Sequence, residues 1–485
     1  MNKLQSITKG ISLLSSVGNN NPAIETIRFD SRDIQPNDIF VAVQGFQADG
    51  HQFIEKAILK GASVIVCETL PDVLSKEVTY LQVEDSAYAL GKMAANFFDN
   101  PSEKLKLIGI TGTNGKTTTA TLLHQLFIKL GYKAGLLSTI RNCIHTQVVE
   151  ATHTTPDPVQ LNLLLANMVE AGCDFCFMEV SSHAAHQQRI AGLKFSGAVF
   201  SNITQDHLDY HKTFVEYIKA KKLFFDGLPS DAFSLVNTDD KNGLVMQQNT
   251  KSAKYSYALK SMANFKGKVL EAHIDGMLVA FDNTEIWTRF IGGFNAYNLL
   301  AVYSVALLLK QDRLEVIQAL SSLQPVDGRF QYIKSKSGKL AIVDYAHTPD
   351  ALENVLNTIR EIRESDNKII SVIGAGGNRD KTKRPLMAAI TAKLSDQVIL
   401  TSDNPRDEKP EDIIDDMQVG VLPPYNKKIV VVTQRKEAIK VACMLAQPGD
   451  IILVAGKGHE TYQEVLGIKH HFDDREVIKE LFDAE

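Results

Sequence analysis

The sequence predicts an α/β protein of three domains, and three observations carry that reading. The chain has 485 residues, which at roughly 100–200 residues per domain makes about three. Short β-branched apolar runs alternate with helical patterns, most clearly after Gln331, and that alternation builds parallel sheets with helices on their faces. Chemically distinctive motifs follow several of these runs, at the carboxyl ends of strands where such sheets bind ligands.

Residues 1–98 read as a small α/β unit. FDSRDIQPNDIFVAV and GASVIVCE carry strands, TYLQVED a last one, and a helix over 87–98 leads to the linker dipeptide Asn100-Pro101. Residues 99–330 read as a central domain with a phosphate loop on a parallel sheet. LKLIGIT predicts a strand and 116–130 a long helix; DFCFMEVS and GAVFSNIT predict further strands. Residues 240–289 are β-rich and less periodic, and 296–309 is helical. Residues 331–485 read as a Rossmann-like α/β domain. LAIVDYA precedes a helix from Pro349, and IISVIGA precedes RPLMAAITAKL. QVILTSD, KIVVVT, the helix KEAIKVACMLA and DIILVAG complete the alternation.

Apolar residues make up 44% of the chain and charged residues 22%, an ordinary globular composition. A net charge of -5 gives no electrostatic case for nucleic acid binding. Five cysteines are too few and too scattered for a disulfide framework. Cys173 and Cys176 form a lone CxxC inside GCDFCFMEV, so buried thiols are expected there rather than zinc or redox chemistry. The first residues, MNKLQSITKGISLLSSVG, lack a cleavage signal, and no apolar stretch approaches the ~20 residues that span a bilayer. A cytoplasmic monomer without membrane or nucleic acid partners is expected.

The strongest local signal is the run Gly109 to Thr118, GITGTNGKTT, between a strand and a helix. Gly112, Thr113, Asn114, Gly115 and Thr118 would bring backbone N–H groups to phosphate oxygens. Lys116 supplies a charge and Thr117 a hydroxyl for Mg²⁺. Ile110 stands where the common form of this loop has its first glycine. Glu179 ends an apolar strand in FMEVSSH, a position from which a carboxylate can hold Mg²⁺. Asp206 to His211, DHLDYH, is dense in possible metal ligands, and Lys221 follows in YIKAKKLFF. Taken alone, those histidines read as structural and those lysines as a solvated helix face.

TGTNGKT, MEVSSH, DHLDYH and YxxAK, in that order, resemble the Mur ligases of bacterial cell-wall synthesis. GFNAYN with Asn295 and Asn298, GRF with Arg329, and DYAHTPD with His347 extend the likeness over nearly the whole chain. The resemblance implies an ATP-dependent ligase that activates a carboxylate as an acyl phosphate. It implies catalytic roles for Lys116, Glu179, His207 and Lys221, with Mg²⁺ at Thr117, Glu179, His207 and, once carbamoylated, Lys221. It implies nucleotide contacts from Asn295, Asn298, Arg329 and His347. FDSR and GFQADG resemble a uridine-nucleotide site, implicating Phe29, Ser31, Phe46, Gln47 and Ala48. HTTP with Ser181, Gln187 and Arg189 resembles a muramoyl-peptide site, implicating Thr154 and Thr155. GNRDK, DNPR and GKGHE resemble an amino-acid site, implicating Arg379, Asp403, Asn404, Pro405, Arg406, Gly456 and Glu460.

In this family DNPR goes with meso-diaminopimelate, and lysine-adding relatives generally lack the arginine. The physics agrees, since an arginine fork binds the distal carboxylate that lysine does not have. The implied substrates are UDP-muramoyl dipeptide, meso-diaminopimelate and ATP, with the domains closing around Arg329. Three rivals remain: the same ligation with L-lysine, the folate-polyglutamate relatives, which should lack the uridine-site domain, and a nucleotide-binding switch without catalysis.

Overall fold

The computed structural model describes every residue except Met1, Asn19, Asn20, Phe46, Gln47, Thr152, Ser365 and Glu485. Three larger sheets are each drawn from their own stretch of chain.

The first holds five strands in the order Leu13–Val17, Thr79–Val83, Val64–Cys67, Ile39–Val41, Ile27–Arg28. All neighbours run parallel except the edge strand Leu13–Val17. Val64 and Val66 enter one apolar core with Leu90 and Met93; Ile65 and Cys67 enter another with Ile54 and Ala57. Burial on both faces explains why VIVC reads as a continuous apolar run rather than an alternating one. Helix Ser86–Phe97 starts where the Asp85 side chain accepts from Tyr88 N. It stops at Asp99 and Asn100, both in the left-handed region, ahead of Pro101.

The central sheet has eleven strands. Seven consecutive strands are parallel, in the order Ala134–Leu137, Phe175–Glu179, Lys106–Thr111, Gly197–Phe200, Phe233–Asn237, Ala253–Ala258, Phe265–His273. Antiparallel strands finish both edges. Lys106–Thr111 lies in the middle, and the chain passes from its Phe175–Glu179 side to its Gly197–Phe200 side. Such a switch point opens a crevice at the strand ends. The β-rich segment resolves into strands through Thr284–Thr288, one turn being Asp282-Asn283 with both φ positive. Helix Gly293–Leu308 is apolar on nearly every face because it is buried against the sheet.

The third sheet has six strands, in the order Gln331–Lys334, Leu340–Asp344, Ile451–Ala455, Ile369–Ile373, Gln397–Leu400, Ile429–Val431. It is parallel except for the first strand. Helices Pro349–Ile362, Lys383–Leu394 and Pro410–Gln418 lie on one face, with Arg435–Leu445 and Asp474–Asp483 on the other. All five cysteines are free and buried, Cys173 and Cys176 included.

Candidate active site

The carboxyl ends of the central and third sheets face one another across two cavities, of about 450 Å³ and about 400 Å³. Thr154, Ser181, Asp206, His207, Tyr345 and His347 line both, so the two adjoin.

The larger cavity begins at the loop after Lys106–Thr111. Gly115 sits at φ 88°, and a Cβ there would meet Asn298 Oδ1 at 2.5 Å, so only glycine fits. The lead into helix Lys116–Lys129 is thereby fixed. Thr113 to Thr118 line this cavity. Lys116 Nζ donates to the carbonyls of Gly112 at 2.9 Å and Thr113 at 2.8 Å. Burial lowers its pKa, against the pull of Glu179 and Asp206.

Glu179 is fully buried at the end of the neighbouring strand. It accepts from Thr117 Oγ1 at 3.0 Å and from Thr139 N at 2.7 Å. Arg329 reaches across from the turn that leads into the third sheet, its Nη2 donating to Thr117 Oγ1 at 3.2 Å. Its guanidinium stacks 4.3 Å from the Tyr345 ring.

Lys221 is buried, contrary to the solvated face its local sequence suggests. Helix Phe214–Asp226 turns it inward, where Nζ donates to Gly112 O at 2.8 Å and lies 4.7 Å from the Tyr217 ring. Burial, with Lys116 nearby, pushes its pKa well below the usual lysine value. His207 adopts the left-handed conformation and stands 3.4 Å from Asp206. Burial also lowers the His207 pKa, which keeps the imidazole neutral. His347 Nδ1 donates to Tyr345 O at 2.8 Å, and burial pushes its pKa down to about 4. Nε2 is therefore the acceptor nitrogen of its neutral ring.

Asn298 lines this cavity but Asn295 does not. The Asn295 amide donates to Ile291 O and accepts from Asn298 Nδ2, which places it behind Asn298. Asp350 was not singled out from sequence. It accepts from Asn114 Nδ2 at 2.8 Å and from Thr204 Oγ1 at 3.3 Å, tying the third region to the phosphate loop.

The second cavity is walled by the loops after four strands of the third sheet. Arg379, Asp403, Asn404, Arg406, Gly456 and Glu460 all line it; Pro405 does not. Asn404 bridges, donating to Glu460 Oε2 at 2.8 Å and accepting from the buried Lys457 at 3.1 Å. Lys457 sits in the GKGHE motif, and no local pattern marks a lysine between two glycines as buried. Burial, then the nearby Asp403, raises the Glu460 pKa, while Lys457 opposes them. Arg406, at φ 52°, donates to Gly377 O at 2.9 Å and pairs with Glu464 at 3.3 Å.

Thr155 and Arg189 line the second cavity from the central region. Arg189 donates to Thr155 O at 2.9 Å and is held by Gln187, whose amide reaches Tyr210. Phe29 and Ala48 are exposed and Ser31 is buried in the first region, outside both cavities. Phe46 and Gln47 lie outside the described residues.

Among the described residues, no three His, Cys, Asp or Glu side chains converge on a metal-binding arrangement. The donor set present is Thr117 Oγ1 beside Glu179 Oε2. It fits Mg²⁺, which takes one or two protein oxygens and completes its shell with water and phosphate.

A phosphate loop at a switch point, facing a cavity of paired arginines and carboxylates, defines an α/β nucleotide-dependent enzyme of the P-loop class. Family profiles match along the chain: the Mur ligase family catalytic domain at residues 23–98, the Mur ligase middle domain at 110–306, and the Mur ligase glutamate ligase domain at 328–458. The chain belongs to the Mur ligase family. It is 59% identical to the UDP-N-acetylmuramoyl-L-alanyl-D-glutamate–2,6-diaminopimelate ligase of Cytophaga hutchinsonii, over 98% of each chain. It is 56% identical to the protein of that name from Phocaeicola vulgatus, over 100% of each. A solved structure of an enzyme with that name superposes with a TM-score of 0.69 at 31% identity, covering 100% of this chain and 99% of the other.

Proposed function

We propose that this protein is an ATP-dependent ligase that joins meso-diaminopimelate to UDP-N-acetylmuramoyl-L-alanyl-D-glutamate, as the full-length relatives are named to do. The carrying observation is that the two cavities adjoin and share six lining residues, one holding the phosphate loop and the other lined by Arg379, Arg406 and Glu460. A carboxylate activated in the first lies beside an amine held in the second.

The D-glutamyl γ-carboxylate oxygen attacks the γ-phosphorus of ATP, ADP leaves, and an acyl phosphate forms. The unprotonated amine attacks its carbonyl carbon; phosphate leaves and an amide bond remains. Both steps gather anions, so the residues act mainly by neutralising and positioning charge. Lys116 and the loop N–H groups hold the β- and γ-phosphates. Arg329 meets them from the opposite side. Mg²⁺, held by Thr117 and Glu179, would supply further neutralisation of the phosphate oxygens. Asn298 borders the nucleoside end, and His347 offers its acceptor Nε2 at the junction of the cavities.

The depressed pKa of Lys221 favours the free amine, the form that adds CO₂ to give a carbamate and a proton. Carbamoylation would place a negative charge near His207 and Asp206, suited to a second Mg²⁺. In the amino-acid cavity, Arg406 and Arg379 bind the distal carboxylate of diaminopimelate and Glu460 its distal ammonium. Thr154, Thr155, Ser181 and Arg189 place the dipeptide. The first region, with Phe29, Ser31 and Ala48, takes the uridine nucleotide.

The test is phosphate release from ATP with UDP-muramoyl dipeptide, comparing meso-diaminopimelate with L-lysine. Release with diaminopimelate alone is expected. A preference for lysine would overturn the amino-acid assignment, and no release with either would overturn the ligase.

A further inference from the structure

Arg384 touches neither cavity, yet it is fully buried in the first turn of helix Lys383–Leu394. A cation at a helix N-terminus opposes the helix dipole, so its burial needs compensation elsewhere. Glu408 supplies it. Arg384 Nη1 and Nη2 grip both Glu408 oxygens at 3.0 and 2.8 Å, and Nη1 also reaches Asp416 at 2.8 Å.

The same two groups tie together the loops that carry Arg379 and Arg406. Arg384 Nη2 donates to Gly376 O at 3.2 Å, on the first loop. Glu408, on the second, accepts from Asn378 N at 2.6 Å, on the first. The loops touch so closely that a Cβ on Gly377 would meet Pro405 O at 1.9 Å. Asn378 and Arg406 both hold left-handed conformations, which an asparagine adopts readily but an arginine keeps only where its surroundings impose it.

We propose that the Arg384–Glu408 pair is a positioning device that fixes the spacing of Arg379 and Arg406, and so sets the preference for an amino acid with a distal carboxylate. The proposal rests on the amino-acid site argued above. Two guanidinium groups bind one carboxylate well only at a fixed separation, and bonds behind them supply that rigidity. Asp416, whose bond to Arg384 touches neither loop, is the natural control.

The experiment measures steady-state kinetics of Arg384→Lys, Glu408→Gln and Asp416→Asn, with diaminopimelate and with lysine. For the first two, KM for diaminopimelate should rise about tenfold. Their kcat, KM for ATP and any turnover of lysine should stay near those of the parent, so the diaminopimelate-to-lysine ratio falls. Asp416→Asn should change none of these. An unchanged KM for diaminopimelate in folded Glu408→Gln would overturn the proposal. So would a rise of the same size in Asp416→Asn, or a common loss of kcat and ATP affinity. Glu408→Gln keeps the test open if Arg384→Lys does not fold. Arg406→Ala in the same assay tests the underlying reading: an unchanged KM there removes the amino-acid site itself.

Discussion

Lys221 brings together a buried amine and a neighbouring cation, Lys116, and both favour the uncharged form against the pull of Asp206. Incubation with ¹³C-bicarbonate should give a carbamate carbon resonance that Lys221→Arg lacks, and that variant should lose roughly 100-fold or more in kcat. An identical spectrum from both proteins would remove the carbamate. A second expectation concerns acid. Burial holds His347 near about 4, and burial, then Arg329, holds His459 near about 3. The unfolded chain takes up protons below about pH 6.5 that these folded rings refuse until pH 4 or lower. Stability present above pH 6.5 is therefore lost as pH falls through that window, about 1–2 kcal/mol per ring at pH 5. Scanning calorimetry from pH 7.5 to 5 should show a falling unfolding temperature, and a flat profile would contradict the assignment. Lys116, Thr117 and Glu179 were legible in the sequence because a loop and a strand end are local patterns. The burial of Lys221 was not, since Gly112, 109 residues away, supplies its partner.

Among the elements, the loop into helix Lys116–Lys129 depends on the left-handed Gly115. Gly115→Ala combines backbone strain of roughly 1–3 kcal/mol with a clash against Asn298. Titration with a fluorescent ATP analogue should show affinity down at least about tenfold with the circular dichroism spectrum retained; unaltered affinity would contradict this account. The inner strands Leu340–Asp344, Ile369–Ile373 and Ile451–Ala455 of the third sheet were readable because each is a short apolar run, buried on both faces. Helices Pro158–Glu170 and Arg313–Ser321 were passed over, although Asp157 and Asp312 cap them and Pro158 opens the first. Those capping signals were present in the sequence. Helix Gly293–Leu308 begins three residues before its apolar pattern does, because Gly292 and Gly293 mark no hydrophobic face.

For the whole molecule, the meeting of central and third regions was inferable because motifs for one reaction lie on both. The atoms that join them were not, since Asn114–Asp350 and Arg329–Thr117 span 236 and 212 residues. Hydrogen exchange should report that joint. A nonhydrolysable ATP analogue should slow exchange at residues 345–350 as well as at 112–118, and protection confined to the phosphate loop would mean the third region takes no part in nucleotide binding.

The groups that would receive nucleotide are already engaged with the protein itself. Lys116 holds two carbonyls of its own loop, Thr117 holds Glu179 and is held by Arg329, and Asn114 holds Asp350. Arrival of ATP is then a trade of partners rather than the filling of a void. The heat evolved on mixing should be small beside the number of polar contacts the nucleotide makes, because for each bond gained another of similar strength is surrendered.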